Sequence, residues 1–589
     1  MVNDAFHMSI KSFLLSNKKR TGLIISLILI ISGIIPLIIF TFFADPAHPY
    51  TITQTTLVTE DYNNIKALIY TPKNMTGTHP GVVIGHGFCG NARHMQALAI
   101  EFVKREFVVV NINFRGHGNS DGYLPSFTDP LMINTIELDI LAGIQFLQDL
   151  GNIDKIGLLG HSMGAMTVLK TADDFTNDIN ATVVLGMVTG FEAGLRGFIG
   201  GNISEISEPN LTRVANLLIC NGRLEQMFTP ELSLNFLKEY TNLTSVEPET
   251  QYGYFEYRNA SKVVIGSGEH LFEPLDNHII NESVVWFELA FYGSLRWDIT
   301  LTAPFLQPSF AIALIGIIAM CFVTLLYLHN YLWKDQPVNL RKNTLKDTSI
   351  LKLTVFYVLG TGVGVGLLLP FAILFTAALP ISMGQLLYAI LVGNAIGALL
   401  MYYFIIRKTE NVGFQTIPSK IKAMCSGNYK RSILYGIIAA ALFAVAIACV
   451  ANWSILITFP TIREYGAIVG MAILFFPWLL IKEFYIRTTQ GQLKTNNRFK
   501  EYLTMVGIGF IMDSLLLIPT MFFCWRNGPL LGFLALALTV VLIFSFIQQI
   551  LVTWVYMYSG RNILGSTIFL CIFYAWMMIS FYPFGLPFF

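Results

Sequence analysis

The chain has 589 residues, of which 54% are hydrophobic and only 13% are charged. A soluble protein of ordinary composition is about 45–50% apolar and about 25% charged, so this composition predicts membrane segments. The net charge of +1 gives no electrostatic basis for a nucleic-acid partner. None of the seven cysteines stands at metal-ligand spacing, so we predict neither a zinc site nor a disulfide framework.

The first apolar segment, residues 21–43, carries no charge and follows the basic run KKR. It is long enough to cross a hydrocarbon core of ~30 Å as a helix. A cleaved signal peptide usually has an apolar region of about 7–15 residues and a small-residue cleavage site. The longer segment here, which ends in FFADPAHP, favours an uncleaved membrane anchor, so residues 1–43 are predicted as an N-terminus with its anchor.

Residues 44–305 are predicted to form one soluble domain, because strand-type and helix-type patterns alternate along them. Strands are predicted at 52–59, 64–70, 81–86, 106–112, 155–160, 182–188, 216–221 and 261–266. Helices are predicted near 92–104, 130–150, 163–174, 229–241 and 277–292. This order predicts a mostly parallel eight-stranded sheet with helices on both faces, which binds ligands at the C-terminal ends of its strands.

Between the fifth strand and the following helix the chain reads Gly-His-Ser-Met-Gly, a G-x-S-x-G pattern around Ser162. This pattern arises often by chance, but a strand before it and a helix after it are the setting of a nucleophile elbow. A serine nucleophile needs a base, and the base needs an orienting acid. Glu225 follows the seventh strand and His270 follows the eighth, so the three residues occur in the order Ser, acid, His.

Residues 64–292 therefore resemble an α/β-hydrolase of the serine-hydrolase group that includes esterases, lipases, dienelactone-hydrolase-like enzymes and serine aminopeptidases. The stretches that carry the resemblance are the elbow itself, IGHGFCGN at 84–91, NFRGHGNSDG at 113–122 and LDILAGIQFL at 138–147. The resemblance implies that Ser162 is the nucleophile, His270 the general base and Glu225 the acid, a position that this group more often fills with Asp. It also implies an oxyanion hole formed by the backbone N–H groups of Phe88 and Met163.

The resemblance implies a hydrolase without a cofactor that cleaves an ester, such as a lipid or acyl ester, through an acyl-enzyme on Ser162. A peptidase or an acyltransferase could use the same three residues. A transporter or sensor whose outer hydrolase-like domain only binds its ligand is the alternative of a different class. A small-molecule, lipid or acyl-ester substrate is the partner expected, and the sequence does not specify an oligomeric state.

Residues 189–210 stand where this group places its cap, and Phe191, Leu195, Phe198 and Ile199 share one face of a helical pattern there. A mobile apolar flap beside a membrane would suit an acyl ester. A simple cap packed on the pocket is the other interpretation, which we slightly prefer.

Residues 306–589 are predicted as an all-α membrane domain with eight further spans, near 309–331, 352–378, 385–406, 432–452, 466–482, 504–524, 530–557 and 563–585. Asp513 lies deep in one of these spans, and intramembrane carboxylates are functional candidates by default. Proton or ion handling is one interpretation of Asp513. A buried structural hydrogen bond, with Asn394 as a possible partner, is the preferred one.

Lysines and arginines are concentrated in the N-terminus and in the loops after spans two, four and six. The positive-inside rule then predicts a multi-pass protein of the cell membrane with a cytoplasmic N-terminus. The hydrolase domain and the C-terminus would lie outside the cytoplasm. Seven Asn-x-Ser/Thr sequons in residues 44–305 agree with glycan exposure there: Asn74, Asn180, Asn202, Asn210, Asn242, Asn259 and Asn281.

Overall fold

The structure is a computed structural model that describes residues 18–127, 129, 131–186, 214–296, 298–334, 345, 348–379, 381–452, 460–495, 497–525 and 529–585. The predicted cap at 189–210 and the sequons at Asn202 and Asn210 lie outside these residues. The first helix, α1 (Lys18–Phe42), precedes an eight-stranded sheet.

The sheet has the strand order β1-β2-β4-β3-β5-β6-β7-β8. From β3 onward all neighbours are parallel, whereas β2 runs antiparallel to both β1 and β4. The strands are β1 (Tyr50–Val58), β2 (Asn64–Pro72), β3 (His79–Gly85), β4 (Val108–Ile112), β5 (Ile153–His161), β6 (Ile179–Leu185), β7 (Leu217–Gly222) and β8 (Ser261–Gly266). This sheet confirms the predicted α/β-hydrolase fold class.

Among the described residues, five helices cover the two faces of the sheet, to which the side chains of each strand point alternately. On β3, Val82 and Ile84 belong to one apolar core and Val83 to the other. The first core contains α2 (Gln96–Lys104) and α6 (Asn277–Tyr292), and the second contains α3 (Met132–Asp149), α4 (Met163–Asp174) and α5 (Pro230–Thr241). All five of these helices overlap a helix predicted from the sequence.

The C-terminal region is helical. Its helices are α7 (Ala303–Leu332), α8 (Ile350–Leu368), α9 (Gly384–Glu410), α10 (Ile417–Cys425), α11 (Tyr429–Ala451), α12 (Ile462–Gln490), α13 (Arg498–Ser514), α14 (Leu517–Cys524), α15 (Pro529–Tyr558) and α16 (Ile563–Phe581). Single-turn 3₁₀ segments lie at Phe255–Tyr257 and Phe414–Thr416, and longer ones at His270–Leu275 and Leu369–Ala378.

By length and composition, eight helices of the described residues could cross a membrane, or nine if α13 and α14 count as one span bent by 45°. The sequence predicts nine. Two predicted spans are interrupted: the span at 352–378 changes from α-helix to 3₁₀-helix after Leu368, and the span at 504–524 bends after Ser514.

Several helix ends of this region contact the hydrolase domain directly. Beyond α16, the backbone N–H of Phe584 donates to Gly116 O over 2.9 Å. In the first turn of α15, a Cβ added at Gly532 would lie 2.0 Å from the carbonyl oxygen of Gln226, so the two backbones touch. The loops after β4 and β7 are therefore packed against the ends of α16 and α15.

Other helix ends meet at the side away from the hydrolase domain. The guanidinium of Arg431, at the start of α11, donates to Leu332 O at the end of α7 over 2.8 Å. Arg561, before α16, pairs with Glu501 at the start of α13 over 2.8 Å. Since α13 begins at this side and α15 begins at the hydrolase side, α13 and α14 together connect the two sides.

A buried carboxylate joins the hydrolase domain to α7. Glu101, on α2, accepts hydrogen bonds from the backbone N–H groups of Thr302 and Ala303 over 2.7 and 2.9 Å. These groups begin α7, where a negative charge is favoured by the helix dipole. Lys104 and Arg105 neutralise the same carboxylate at 2.8 and 2.9 Å. The cluster fixes the hydrolase domain over the first turn of α7.

Candidate active site

Ser162 occupies a strained turn between β5 and α4, with φ 53° and ψ −115°. A Cβ added at Gly160 would lie 2.2 Å from the carbonyl oxygen of Gly164. A Cβ added at Gly164 would lie 2.3 Å from the carbonyl oxygen of Gly85. Only glycine fits at these two positions. The backbone strain at Ser162 costs about 1–3 kcal/mol, and it persists because the surrounding structure enforces it. The geometry is that of the predicted nucleophile elbow.

The structure brings Ser162, His270 and Glu225 into one hydrogen-bonded chain. His270 Nε2 lies 2.8 Å from Ser162 Oγ, so it is placed to accept the hydroxyl proton. His270 Nδ1 lies 2.6 Å from Glu225 Oε2, to which its N–H donates. Both His270 and Glu225 are buried, and a base oriented in this way can take a proton from a serine hydroxyl.

The turn after β7 holds the Glu225 carboxylate in place. Its second oxygen accepts the backbone N–H groups of Met227 and Phe228 over 2.7 and 3.2 Å. Burial alone would raise the pKa of Glu225, but the charge and hydrogen bond of His270 and the Met227 N–H outweigh burial and lower it. An ionised Glu225 is therefore favoured beside His270, as stabilisation of an imidazolium requires.

A second buried carboxyl group, Glu273, lies behind Glu225 and was not predicted. It accepts the backbone N–H of Gly222 over 2.6 Å, and its carboxyl group neighbours that of Glu225. Burial and the neighbouring Glu225 raise the pKa of Glu273 well above its usual value, which favours a proton on Glu273 and an ionised Glu225. His270 and Glu273 are three residues apart in one 3₁₀-helix, and residues at this spacing lie on the same face of such a helix. The spacing in EHLFEP was therefore the one sequence signal that Glu273 lies beside His270.

Two buried histidines position the loops around Ser162. His161 Nε2–H donates to the carbonyl oxygen of His270 over 2.9 Å. His86 Nδ1 donates to Gly87 O over 2.8 Å, and its Nε2 accepts the Phe114 N–H over 3.1 Å. Burial lowers the pKa of both histidines well below the usual value, so each is a neutral hydrogen-bonding residue.

The two predicted oxyanion-hole residues lie beside Ser162 in the same pocket. Met163 is the first residue of α4, where helix geometry leaves the backbone N–H without an intrahelical acceptor. Phe88 lies in a turn that the Gly90 N–H closes onto Gly87 O over 2.8 Å. A Cβ at Gly87 would lie 3.1 Å from Ser162 Cβ, so this turn passes directly over the serine.

A pocket opens beside Ser162, and the empty space in and in front of it, solvent at its mouth included, is about 630 Å³. Most of its lining comes from loops of the hydrolase domain, including Cys89, whose thiol pKa is raised by burial. Two lining residues come from the C-terminal helices: Leu536 on α15 and Phe581 at the end of α16. The helical region thus forms part of the pocket wall.

His161, His270 and Glu273 have potential ligand atoms within 4.8 Å of one another, which is close enough for a metal ion. The nitrogens concerned are already engaged, His161 Nε2 by His270 O and His270 Nδ1 by Glu225. We therefore assign these residues to the hydrogen-bond network of the site.

Asp513 is paired with Lys482, whose Nζ lies 3.0 Å from its carboxylate. Gln549 donates to the same carboxylate over 2.8 Å. Within the described residues, Tyr357 links Asn394 to Asp513, because its hydroxyl lies 3.0 Å from Asn394 and 3.4 Å from Asp513. A neutralised, multiply bonded carboxylate supports the structural interpretation. Lys482 was not predicted as a partner of Asp513 because it ends a predicted span.

The described sequons differ in exposure. Asn74, Asn242 and Asn259 are exposed, whereas Asn281 lies half-buried on α6. Asn180, on β6, accepts the backbone N–H of Ile156 over 3.0 Å. Glycan attachment thus fits the first three asparagines better than the last two.

A family model described as "Serine aminopeptidase, S33" matches residues 78–218. An abhydrolase domain-containing protein of Schizosaccharomyces pombe is 31% identical over 138 residues, which are 23% of this chain and 48% of the relative. The chain thus matches about half the length of this curated relative.

Two solved structures resemble 41% of this chain. An esterase of Pyrococcus furiosus is 18% identical, with 90% of its chain covered and a TM-score of 0.31. Est1E from Butyrivibrio proteoclasticus, solved with ferulic acid bound, is 20% identical, with 100% of its chain covered and a TM-score of 0.31.

The strain at Ser162 predicts that glycine is more stable than alanine at this position, which is the reverse of their order inside a helix. Ser162→Gly should have a higher melting temperature than Ser162→Ala, because only glycine relaxes at a positive φ. Both variants lose the same hydroxyl, so their difference isolates the backbone. Ala142→Gly, inside α3, is the control and should lower the melting temperature, since glycine costs roughly 0.5–1 kcal/mol in a helix. Equal melting temperatures for the two Ser162 variants would contradict the elbow geometry.

Glu273 predicts a pH-dependent change in stability. A carboxyl with a raised pKa keeps its proton in the folded state above the unfolded value of about 4.5, so stability falls as pH rises through that interval. Glu273→Gln removes this loss. In purified protein, the melting-temperature difference between Glu273→Gln and wild type should therefore grow from pH 4.5 to pH 8. Glu60→Gln, which changes an exposed carboxyl, is the control; a difference independent of pH would refute protonation of Glu273.

Proposed function

We propose that this α/β-hydrolase is a membrane-embedded serine hydrolase that cleaves carboxylic esters outside the cytoplasm. The observation that carries the proposal is the hydrogen-bonded chain from Ser162 Oγ through His270 to Glu225, with distances of 2.8 and 2.6 Å. Ser162, Glu225 and His270 occur in this order along the sequence, and they lie at the C-terminal ends of β5, β7 and β8. Both features agree with the fold. The membrane location is supported by the length and apolarity of the candidate spans.

The geometry supports a two-step reaction. His270 Nε2 takes the Ser162 hydroxyl proton while Oγ attacks the ester carbonyl carbon, and the backbone N–H groups of Phe88 and Met163 receive the oxyanion. The imidazolium, which faces Glu225, returns its proton to the departing alcohol and leaves an acyl-enzyme. Water, deprotonated by His270, then attacks the acyl carbon. The carboxylic acid leaves, and the proton returns to Ser162.

The pocket supports an ester over a peptide with a free amino terminus. An enzyme that selects such a terminus needs an anionic group close to the nucleophile to pair with the ammonium. Of the described residues that line the pocket, none is an aspartate or a glutamate, and Glu225 is covered by His270 and its own turn. Peptide hydrolysis, which the matched family model's description suggests, is the competing outcome of the test.

The arrangement of the helix ends supports the proposed orientation. The basic ends at Arg431 and Arg561 lie on the side opposite the hydrolase domain. With those ends in the cytoplasm, as the positive-inside rule requires, the hydrolase domain and Phe584 lie outside.

A membrane-impermeant fluorophosphonate tests both parts of this proposal. We expect it to label intact cells that produce the full chain, because an activated serine attacks the phosphorus atom. Ser162→Ala should abolish labelling, whereas Cys89→Ala, in the same pocket, should retain it.

Labelling that requires permeabilised cells would contradict the orientation, and the absence of labelling in either condition would contradict the hydrolase. With purified protein, release of amino acids from aminoacyl-peptides at a rate above that of ester cleavage would contradict the ester preference.

A further inference from the structure

Two residues of the helical region reach the wall of the pocket that contains Ser162. Leu536, on α15, is 7% exposed and packs in the same apolar core as Met163, Met166 and Met227. Phe581, the last residue of α16, lines the same pocket. The hydrolase domain alone therefore does not form the complete pocket.

These two residues lie at the level where the candidate spans end. The apolar span of α15 comprises Leu534–Tyr558, so Leu536 lies only about 3 Å along the helix axis from its start. Phe581 ends the span Ile563–Phe581. Both span ends face the hydrolase domain. The pocket therefore opens at the boundary between the catalytic domain and the apolar layer.

Backbone contacts join the two parts on both sides of the pocket. At the acid loop, the backbone of Gly532 touches that of Gln226, next to Glu225. At the loop after β4, the Leu124 N–H donates to Phe584 O over 2.9 Å. These backbone contacts flank Leu536 and Phe581 in the structure, which places both side chains in the pocket with Ser162.

The chemistry of the lining identifies the ligand class. Apart from Ser162 and the histidines around it, the side chains that face the pocket are mainly apolar, among them Phe88, Met166, Met227 and Phe228 from the hydrolase domain and Leu536 and Phe581 from the spans. Such a wall gains free energy from each buried methylene and offers no charge to a polar substituent. A hydrocarbon chain is the group that it suits.

We infer that Leu536 and Phe581 form the acyl-chain wall of the active site, which takes long-chain esters directly from the surrounding lipid layer. This inference rests on the proposed ester hydrolysis at Ser162 and adds the substrate class. The scissile carbonyl would lie at Ser162 while the acyl chain lies against α15 and α16. The helical region then completes the substrate site in addition to anchoring the enzyme.

Substitution of the wall tests this inference. In the full-length protein in detergent, Leu536→Trp should lower the ratio of kcat/KM for a palmitoyl ester to that for a butyryl ester at least tenfold. Each methylene group of the acyl chain that no longer fits in the pocket lowers the ratio roughly fourfold. Exclusion of two methylene groups is therefore enough for a tenfold decrease. Leu534→Trp, on the same helix but 42% exposed, is the matched control and should leave the ratio within about twofold.

Leu536→Asn, which is close to leucine in size but polar, provides a second variant with little steric change, and it should lower the same ratio. Fluorophosphonate labelling gives the active fraction of each preparation. Ratios equal to wild type in labelled Leu536→Trp and Leu536→Asn would overturn the inference and leave the proposed function intact. A wild-type protein that is neither labelled nor able to cleave any ester would refute the proposed function itself.

The source of the substrate is tested in vesicles. With the protein in phosphatidylcholine vesicles, a fluorogenic palmitoyl ester should be cleaved when it is in the same bilayer and at least tenfold more slowly when it is supplied in separate vesicles. A soluble butyryl ester, cleaved equally in both arrangements, is the control. Equal rates for the palmitoyl ester from both sources would overturn entry from the lipid layer.

Discussion

Between β5 and α4 the backbone reverses so tightly that neither Gly160 nor Gly164 has room for a Cβ. This steric constraint determines the rest of the site. It forces Ser162 to a positive φ, which raises its hydroxyl above the end of the sheet toward His270. It also aims the first N–H groups of α4 at the same point. The parallel order of β5, β6, β7 and β8 then brings Glu225 and His270 to that edge from distant parts of the sequence.

The same edge of the sheet is held against the helical region. Glu101 fixes one side of the domain to the first turn of α7, and backbone contacts fix the acid loop and the loop after β4 to α15 and α16. A domain tethered only by α1 would be free to turn its catalytic edge toward water. The observed contacts keep this edge against the ends of α15 and α16, which gives the C-terminal helices a role in shaping the pocket.

The sequence predicted the features that local patterns encode. All eight strands agree with prediction to within about three residues at each end, and Ser162, Glu225 and His270 follow from a motif and an order. Glu273 was missed because its role depends on the backbone of Gly222, which is distant in sequence. Leu536 and the Lys482–Asp513 pair depend on packing between helices, which no local pattern reports. The bend after Ser514 did have a local signal that the span prediction did not use: Pro519 lacks the N–H that would donate to Leu515 O, and its ring clashes with that carbonyl.

In the proposed reaction, Ser162 carries the acyl group of the ester between the two steps. The most direct measurement is peptide mass analysis after the wild-type protein has been mixed with an activated long-chain ester and quenched in acid within milliseconds. We expect the peptide that contains Ser162 to gain the mass of one acyl group. At longer reaction times this added mass should disappear, because water hydrolyses the acyl-enzyme. An acyl group on Cys89, or none on any peptide while ester is consumed, would contradict the account.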